Sequence, residues 1–410
     1  MECNRRAFIR RMGTAGLIST SGIAPAVWSR AAAAAGGSAA DRILVLIQLA
    51  GGNDGLNTVV PFADDAYYRA RPGIGIPETS VLKLNDTLGL HPQMAGFQEL
   101  YDEGRLSVVQ GVGYANPDRS HFRSMDIWQS ARLTVDGSLD GWLGRALDRS
   151  IDRHVGTVPA MALGNERLPL SLVGHKVIVP TIRDLATYRL QLGPQPAVNG
   201  GLFRSTIGAY VEEQQSGERQ LEFLRQATDA ALTTADSIQQ ISQEYRETVP
   251  YPASDLADKL KLVAQLISGD LGTRIFFVSL GGFDTHAQQQ QSHQALLGEL
   301  SSAVRAFSQD LKGHGHSDRV VVATFSEFGR RVAENGSLGT DHGAASQLFV
   351  VTPGQQAGIH GRHPDLNQLL QGDLRHHTDF RSVYATLLER WLEIPSQPVL
   401  GQQFPLMDFI

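Results

Sequence analysis

The sequence predicts an α/β fold whose mostly parallel central sheet is packed between helices. The clearest observation is the run at 43–50, ILVLIQLA, which is apolar almost throughout and stops at two glycines. An unbroken apolar run of this length is typical of a strand that is covered on both faces, as in a parallel sheet. Comparable runs recur at 105–113, 274–280, 319–325 and 347–352, and amphipathic helical patterns separate them. These runs predict one buried sheet of at least five strands.

The first 35 residues have the pattern of an export signal. Asn4-Arg5-Arg6-Ala7-Phe8-Ile9-Arg10 matches a twin-arginine motif, and a weakly apolar stretch and an alanine run follow it. Glycine, serine and proline interrupt the apolar stretch, so it does not predict a transmembrane helix. A basic N-terminal helix is the alternative interpretation. We expect residues 1–35 to be removed, and the mature protein to be periplasmic or secreted, with the twin-arginine translocase as its partner during export.

Charge and cysteine content exclude several classes of function. Removing residues 1–35 takes away five arginines and one glutamate, which leaves 31 basic and 41 acidic residues of the original 36 and 42. A net charge near −10 makes the mature chain a poor ligand for nucleic acid. Its single cysteine, Cys3, lies in the removable segment. The mature chain therefore has neither a disulfide nor a cysteine nucleophile nor a cysteine metal ligand.

The remaining pattern predicts a single domain over residues 36–410. The polar, tyrosine-bearing stretch 62–77 is expected to be a surface excursion, and 158–163 and 170–173 are candidate short strands. Residues 202–248 and 255–268 have helical patterns, so we predict a helical insertion around 200–270. His293 follows a glutamine run and is expected to be exposed.

Acidic and imidazole side chains lie at four predicted strand ends; three sets follow a strand, and the last pair precedes the strand 347–352. They are Asp54, then Asp284 with His286, then Glu327, and finally the pair Asp341 and His342. A polar residue at one strand end is common in proteins without any function there. Because ligands bind outside the carboxyl ends of parallel strands, four such ends together predict a divalent-metal site.

Ser120 and His121 open a predicted helix that runs through Met125 and Trp128. Serine at this position is a common N-cap, which is one interpretation. The other is a nucleophile at a helix N-terminus, where the amides and the helix dipole favour an incoming anion. His121 would then orient the substrate, or it simply packs.

Six blocks in this order make the chain resemble a known family of exported proteins. They are LAGGNDGLN, RSHFRSMDIWQ, GGFDTH, FSEFGRR, GTDHGAAS and DFRSVYATLLERWL. They resemble the family called domain of unknown function 1501, which is grouped with the alkaline phosphatase superfamily of phosphatases, sulfatases and phosphodiesterases. The resemblance implies an alkaline phosphatase-like three-layer α/β/α sandwich with metals at the carboxyl ends of the strands.

The resemblance also implies roles for individual residues. Asp54 takes the place of the first-strand metal ligand, and Ser120 falls near the position of the nucleophile. Asp284 and His286 resemble a paired ligand motif, although they are two positions apart where the superfamily usually has four. Glu327 stands where an Asp-His pair is usual. Asp341-His342 resembles either the segment of the final histidine or the displaced Asp-His pair.

One chemistry is excluded by the same comparison. Sulfatases form formylglycine from a cysteine or serine in the frame C/S-x-P-x-R. This chain has Ala115-Asn116-Pro117-Asp118-Arg119 in that frame, with alanine at the reacting position. The sequence therefore rules out formylglycine chemistry at this point of the chain.

The leading functional hypothesis is an exported metal-dependent hydrolase of small anionic phosphate or sulfate esters. One or two ions are expected, either zinc or another transition ion, or calcium or magnesium. The predicted ligands are Asp54, Asp284, His286, Glu327, Asp341 and His342. The predicted catalytic residues are Ser120 as a nucleophile, Glu327 as a ligand or general base, and Arg330 or His121 as the group that steers the anion. The alternatives are a non-catalytic envelope binding or assembly protein on the same fold, and a metal-free hydrolase that uses Ser120 with His121.

Overall fold

The computed structural model describes residues 42–134, 140–150, 158–164, 167–177, 179–182, 241, 244–354 and 357–410. The predicted export signal and most of the predicted helical insertion lie outside these ranges. Both therefore stay predictions, as do the boundaries of the single domain.

The main sheet has nine strands among the described residues. Long buried strands form its centre, and short strands lie at its edges. In chain order, including a small second sheet, the strands are β1 (Ile43–Ala50), β2 (Val59–Val60), β3 (Leu82–Lys83), β4 (Gly89–Leu90), β5 (Leu106–Gly113), β6 (Ala160–Leu163), β7 (Thr181–Ile182), β8 (Ile275–Gly281), β9 (Val320–Phe325), β10 (Ser346–Val351), β11 (Gly358–His360) and β12 (Thr378–Asp379).

The pairing of these strands confirms a mostly parallel sheet. Its order is β11-β5-β10-β9-β1-β8-β6-β7, and β12 pairs with the end of β5. Strands β9, β1, β8, β6 and β7, which follow one another in this order, are parallel to one another. Among the described strands of this sheet, only β10 runs antiparallel, between β5 and β9. The carboxyl ends of β1, β8 and β9 therefore meet at one edge. The small second sheet, β2-β4-β3, is antiparallel.

The helices fill two layers around this sheet. In chain order they are α1 (Gly55–Thr58), α2 (Asp65–Ala70), α3 (Ala95–Asp102), α4 (His121–Ser130), α5 (Trp142–Arg149), α6 (Asp255–Ser268), α7 (Gln289–Gly313), α8 (Phe380–Thr386) and α9 (Gln397–Leu400). A single π-helical turn, Leu387–Trp391, continues α8. Among the described residues, no helix combines the length and the apolar character needed to cross a lipid bilayer.

Alternate side chains of β1 enter two separate apolar cores. Val45 and Ile47 belong to the core formed with α3, α6 and α7. Leu44 and Leu46 belong to the core formed with α4, α5 and α8. Successive side chains of a strand point to opposite faces of its sheet, so these two cores define helical layers on both faces. The predicted three-layer α/β/α sandwich is confirmed.

Most of the predicted elements form where the sequence places them, and three local predictions are wrong. Residues 170–172 form a short 3₁₀ turn instead of a strand. Residues 65–70 form α2, and Tyr67 and Arg71 of the expected surface excursion are buried. His293 lies in the first turns of α7 and is buried rather than exposed. Arg71 and His293 are buried because they make polar contacts inside the protein, and hydrophobic periodicity cannot reveal such contacts.

Candidate metal centre

The loops that leave β1 and β8 pass very close to each other. Gly51 and Gly52 have φ angles of 120° and 81°, a region that side chains strongly disfavour. A Cβ atom on Gly51 would lie 2.4 Å from the backbone nitrogen of Asp284. The glycine therefore permits the backbone after β1 to lie against the loop that carries Asp284 and His286.

Three ligand-type atoms lie in close contact above this crossing. The Nε2 atoms of His286 and His342 are 2.9 Å apart. Each of them lies 3.1 Å from Oδ1 of Asp284. All three side chains are partly exposed, so the triangle lies at the surface where a small molecule can reach it.

A third imidazole, from α4, completes the cluster. His121 Nε2 lies 3.5 Å from Asp284 Oδ2, and the centres of the His121 and His342 rings are 4.4 Å apart. One ligand atom from each of His121, Asp284 and His342 lies within 4.8 Å of the others. His121, which the sequence suggested as an orienting residue, thus belongs to the group of possible metal ligands.

The Nδ1 atoms of the three imidazoles each face an oxygen atom. His121 Nδ1 is 2.9 Å from Glu327 Oε1, and that oxygen also accepts the Gly51 N–H at 2.8 Å. His286 Nδ1 is 3.2 Å from Asp341 Oδ1. His342 Nδ1 is 2.8 Å from the backbone carbonyl of Arg119.

Arg330 holds the loops of the site together by hydrogen bonds. Its side chain is fully buried, and it donates to the backbone carbonyls of Gly51, Gly52, Phe283 and Thr340. It also donates to Asp284 Oδ1 at 2.8 Å. Because its guanidinium donates to these groups, the structure does not present Arg330 as an exposed anion-steering group.

The electrostatics of the cluster keep its carboxylates ionised. Burial raises the pKa of Asp284, but the hydrogen bond and the charge of Arg330, together with the adjacent histidines, outweigh it and bring this pKa to about 2. A hydrogen bond from Asn335 lowers the pKa of Asp341, and His286 lowers it further against the effect of burial. Two ionised carboxylates beside three imidazoles form a site that favours a cation.

Asp54 lies outside this cluster, in a buried ion pair. Arg71 donates to both of its carboxylate oxygens, at 2.6 and 2.9 Å, and Gln289 donates to one of them. Neither Asp54 nor Arg71 is accessible to solvent. Burial raises the pKa of Asp54, but the charge and the hydrogen bonds of Arg71, together with smaller contributions from neighbours such as Gln289, outweigh it, and the pKa is lowered. The role of Asp54 as a metal ligand stays a prediction, and its observed partner is a guanidinium.

Glu327 and Asp341 lie next to the cluster rather than at its centre, each against a histidine Nδ1. Ser120 occupies the N-cap position of α4, but its side chain makes no capping hydrogen bond. It is exposed, and its backbone N–H donates to Asp118. The side chain of Ser120 therefore does not make the hydrogen bond that the capping interpretation requires.

A buried polar network that the sequence did not predict lies behind Asp54. His293 Nε2 is 2.9 Å from Asn53 Oδ1, and its ring contacts the ring of His91 edge-on. Burial lowers the pKa of both histidines from 6.5 to about 4. Neutral histidines here avoid the cost of a further buried charge.

The donor set fits a transition metal. Zinc binds imidazole nitrogen at about 2.0–2.1 Å in a tetrahedral arrangement, which separates neighbouring ligand atoms by about 3.3 Å. The observed separations of 2.9 and 3.1 Å are close to that value. Calcium and magnesium prefer sites made of oxygen ligands, and three imidazoles do not supply these.

The fold and the site together define an α/β protein with a candidate histidine and aspartate metal centre at the carboxyl ends of its parallel strands. The chain belongs to the family described as Protein of unknown function (DUF1501), which it matches over residues 202–406. The matched part includes Asp284, His286, Glu327 and the pair Asp341-His342.

Several solved structures are similar to this chain at low sequence identity. A lipoteichoic acid synthase from Listeria monocytogenes is 10% identical, with a TM-score of 0.34 over 78% of this chain and 67% of that chain. An alkaline phosphatase from the Antarctic bacterium TAB5 is 10% identical, with a TM-score of 0.33 over 78% of this chain and 94% of that chain. A sulfatase from Pseudoalteromonas sp. is 12% identical, with a TM-score of 0.39 over 92% of this chain and 72% of that chain. Similarity at this level assigns neither a substrate nor a site residue to this chain.

A curated relative of a different kind matches a shorter part of the chain. An ATP-dependent dethiobiotin synthetase of Xylella fastidiosa is 27% identical over 152 residues, which are 31% of this chain and 66% of that protein. The match thus spans slightly less than two thirds of the relative's length. This chain contains no Gly-Lys pair, and the phosphate-binding loop G-x-x-x-x-G-K-[ST] requires one.

Proposed function

We propose that this protein is an exported, metal-dependent hydrolase of small phosphate or sulfate esters. The observation that supports the proposal is the convergence of Asp284, His286 and His342, joined by His121, at an accessible edge of the sheet. The donor set favours zinc or a similar transition ion. When bound, such an ion supplies positive charge that stabilises the oxygens of the ester and of the attacking group.

The protein's own groups would orient the ester and the attacking oxygen. Ser120 precedes His121 directly, and its hydroxyl is exposed at the N-terminus of α4. The free N–H groups and the dipole of a helix N-terminus favour an anionic ester at this position. Attack would come from Ser120 Oγ or from a water molecule, and Arg330 would hold Asp284 in place beneath it.

A small cavity on the same side of the sheet offers room for the rest of a substrate. It has a volume of about 180 Å³, and two of its walls are Asn116-Pro117 and Ala344. These residues precede Ser120 and follow His342 in the chain. Arg375 adds a positive charge, His376 adds an imidazole, and Leu370 adds an apolar surface. We propose that this cavity receives the part of the ester that is remote from the cleaved bond.

Two measurements test the proposal. Elemental analysis of the purified mature protein should find a stoichiometric transition metal, and Asp284→Asn should lower its content. A panel of phosphate and sulfate monoesters and diesters should then reveal metal-dependent turnover. Protein without any bound metal would refute the proposal. With turnover in hand, Ser120→Ala separates attack by serine, which the variant abolishes, from attack by water, which it leaves largely intact.

A non-catalytic binding protein is the second candidate, and one observation favours it. Glu327, the predicted general base, is buried and already contacts His121 and the Gly51 N–H. A carboxylate that supports His121 in this way fits a binding site better than it fits a general base, which needs a reacting proton within hydrogen-bond reach. Stoichiometric metal without turnover on the ester panel would support this candidate over the first.

The proposal includes export by the twin-arginine translocase. Its basis is the motif at Asn4–Arg10 and the small-residue run before residue 36. Replacing Arg5 and Arg6 together by lysine should retain the precursor inside the cell. Export of the variant at the normal rate would contradict this part of the proposal.

A further inference from the structure

We propose that four side chains bind a single metal ion, and that a second layer of oxygen atoms fixes the orientation of its three imidazole ligands. The four ligands are His121, His286, His342 and Asp284. This inference rests on the part of the proposed function that places a metal here. It does not depend on whether the protein cleaves an ester.

The first step concerns the Nδ1 atoms. A neutral imidazole has one N–H donor and one acceptor nitrogen, and the partner of one nitrogen decides the state of the other. His342 Nδ1 faces the Arg119 carbonyl, which can only accept, at 2.8 Å. His286 Nδ1 faces a carboxylate oxygen of Asp341 at 3.2 Å. Each Nδ1 therefore carries the proton.

The same argument holds for His121. Its Nδ1 faces Glu327 Oε1 at 2.9 Å, and that oxygen already accepts the Gly51 N–H. A carboxylate oxygen has two lone pairs, so Glu327 Oε1 can accept from His121 Nδ1 as well as from Gly51. All three imidazoles thus present an unprotonated Nε2 to the same small volume.

The second step concerns what the Nε2 atoms face. His286 Nε2 and His342 Nε2 are 2.9 Å apart, and neither has a proton to place between them. Two lone pairs at this distance repel each other unless a cation lies between them. His121 Nε2 is buried and has no hydrogen-bond partner among the described residues. A metal ion that accepts all three lone pairs satisfies every one of these atoms.

The third step separates ligands from supporting residues. Glu327 and Asp341, which the sequence suggested as ligands, donate no atom to the centre but hold His121 and His286. Asp54 is bound to Arg71 on both of its oxygens. Oxygen acceptors behind histidine ligands are a general feature of metal sites, and losing one lowers metal affinity by about 10–100-fold. The remaining donors suit one tetrahedral ion.

The experiment measures zinc affinity by competition with a chromogenic chelator, together with the absorption spectrum of the cobalt(II)-substituted protein. Asp341→Ala is the main variant because its side chain is 56% exposed and its loss leaves no cavity in the core. Asp86→Ala, at an exposed carboxylate with no role in the site, is the matched control. Glu327→Ala is the second variant, and circular dichroism checks its folding because Glu327 is buried.

We expect one zinc per chain for the wild type, for Asp86→Ala and for Asp341→Ala. The affinity of Asp341→Ala should fall about 10–100-fold while its four-coordinate cobalt spectrum is retained. His286→Ala should lose a ligand and change that spectrum. Two ions per chain, or a cobalt spectrum that Asp341→Ala changes as His286→Ala does, would overturn the inference. Absence of any bound metal would overturn both this inference and the proposed function, whereas metal binding as expected without ester turnover would refute only the latter.

Discussion

The buried pair formed by Arg71 and Asp54 gives the sharpest prediction about stability. All five N–H groups of Arg71 are used: Nε donates to the Val332 carbonyl, and the two amino groups donate to Asp54, Asn57 and the Arg331 carbonyl. Arg71→Met removes these donors and leaves the Asp54 carboxylate buried without its counter-charge. Breaking a buried pair in this way costs about 3–5 kcal/mol, and we expect a loss of that size.

The assay is urea unfolding of chelator-treated protein, so that metal binding does not contribute to the stability. The double variant Asp54→Asn with Arg71→Met should lose less than the sum of the single variants, since neither charge then remains alone. Lys83→Met is the control, because it breaks an exposed pair with Glu78 and should cost less than about 1 kcal/mol.

The pH dependence provides a second test of the same pair. The folded-state pKa of Asp54 is lowered, so its stabilising contribution is present above the pKa of the unfolded chain and is lost as pH falls through the folded value. In Arg71→Met the carboxyl group prefers to be neutral, so the gap between the variant and the wild type should narrow at acidic pH. A loss below about 1 kcal/mol, or strictly additive losses in the double variant, would refute the reasoning.

Three further predictions concern the surroundings of the site. Burial lowers the pKa of His293 from 6.5 to about 4, so the stability that this residue contributes is fully present above pH 6.5 and falls by about 3 kcal/mol towards pH 4. His293→Gln should flatten this dependence of the unfolding free energy on pH, as measured by urea titrations. Parallel pH dependences of the variant and the wild type would contradict the assignment. Gly51→Ala should lower the unfolding free energy by more than about 1 kcal/mol and reduce metal content, because the added Cβ clashes with Asp284. Gly315→Ala is the control: Gly315 has a φ of 74° and open space around it, so this variant has only the backbone strain and should keep the metal. Ser120→Ala should change the unfolding free energy by less than about 0.5 kcal/mol, since its side chain makes no capping bond, and a larger loss would show that it does cap α4 in solution.

The sequence predicted the sheet well because its central strands are buried on both faces. The runs at 43–50, 274–280 and 319–325 leave no polar face to interpret, and β1, β8 and β9 form there. The short run at 170–173 shows the limit of this signal. Its burial against α5 is real, but apolar character over four residues does not distinguish a strand from a 3₁₀ turn.

The candidate site was predicted in position but not in detail. Asp284 follows the parallel strand β8, and His342 precedes the antiparallel strand β10, so both residues lie at the same edge of the sheet. Topology does not show which of these residues are ligands and which support the ligands, because that depends on contacts with residues far away in sequence. Arg71 decides the state of Asp54 from a segment that reads as a polar excursion, and Glu327 faces a histidine 206 positions away. These contacts depend on side-chain rotamers and histidine tautomers, which residue spacing does not predict.

The hydrogen bonds of Arg330 have a consequence for which cations the proposed site would accept. One guanidinium ties together the turns that follow β1 and β8 and the segment before β10, so the ligands on these turns cannot spread independently. An ion with longer preferred bonds, such as calcium at about 2.3–2.6 Å, would require the whole ring of donors to expand. If the proposed site binds a metal, its backbone would therefore select the ion by radius, in addition to the chemical preference of imidazole.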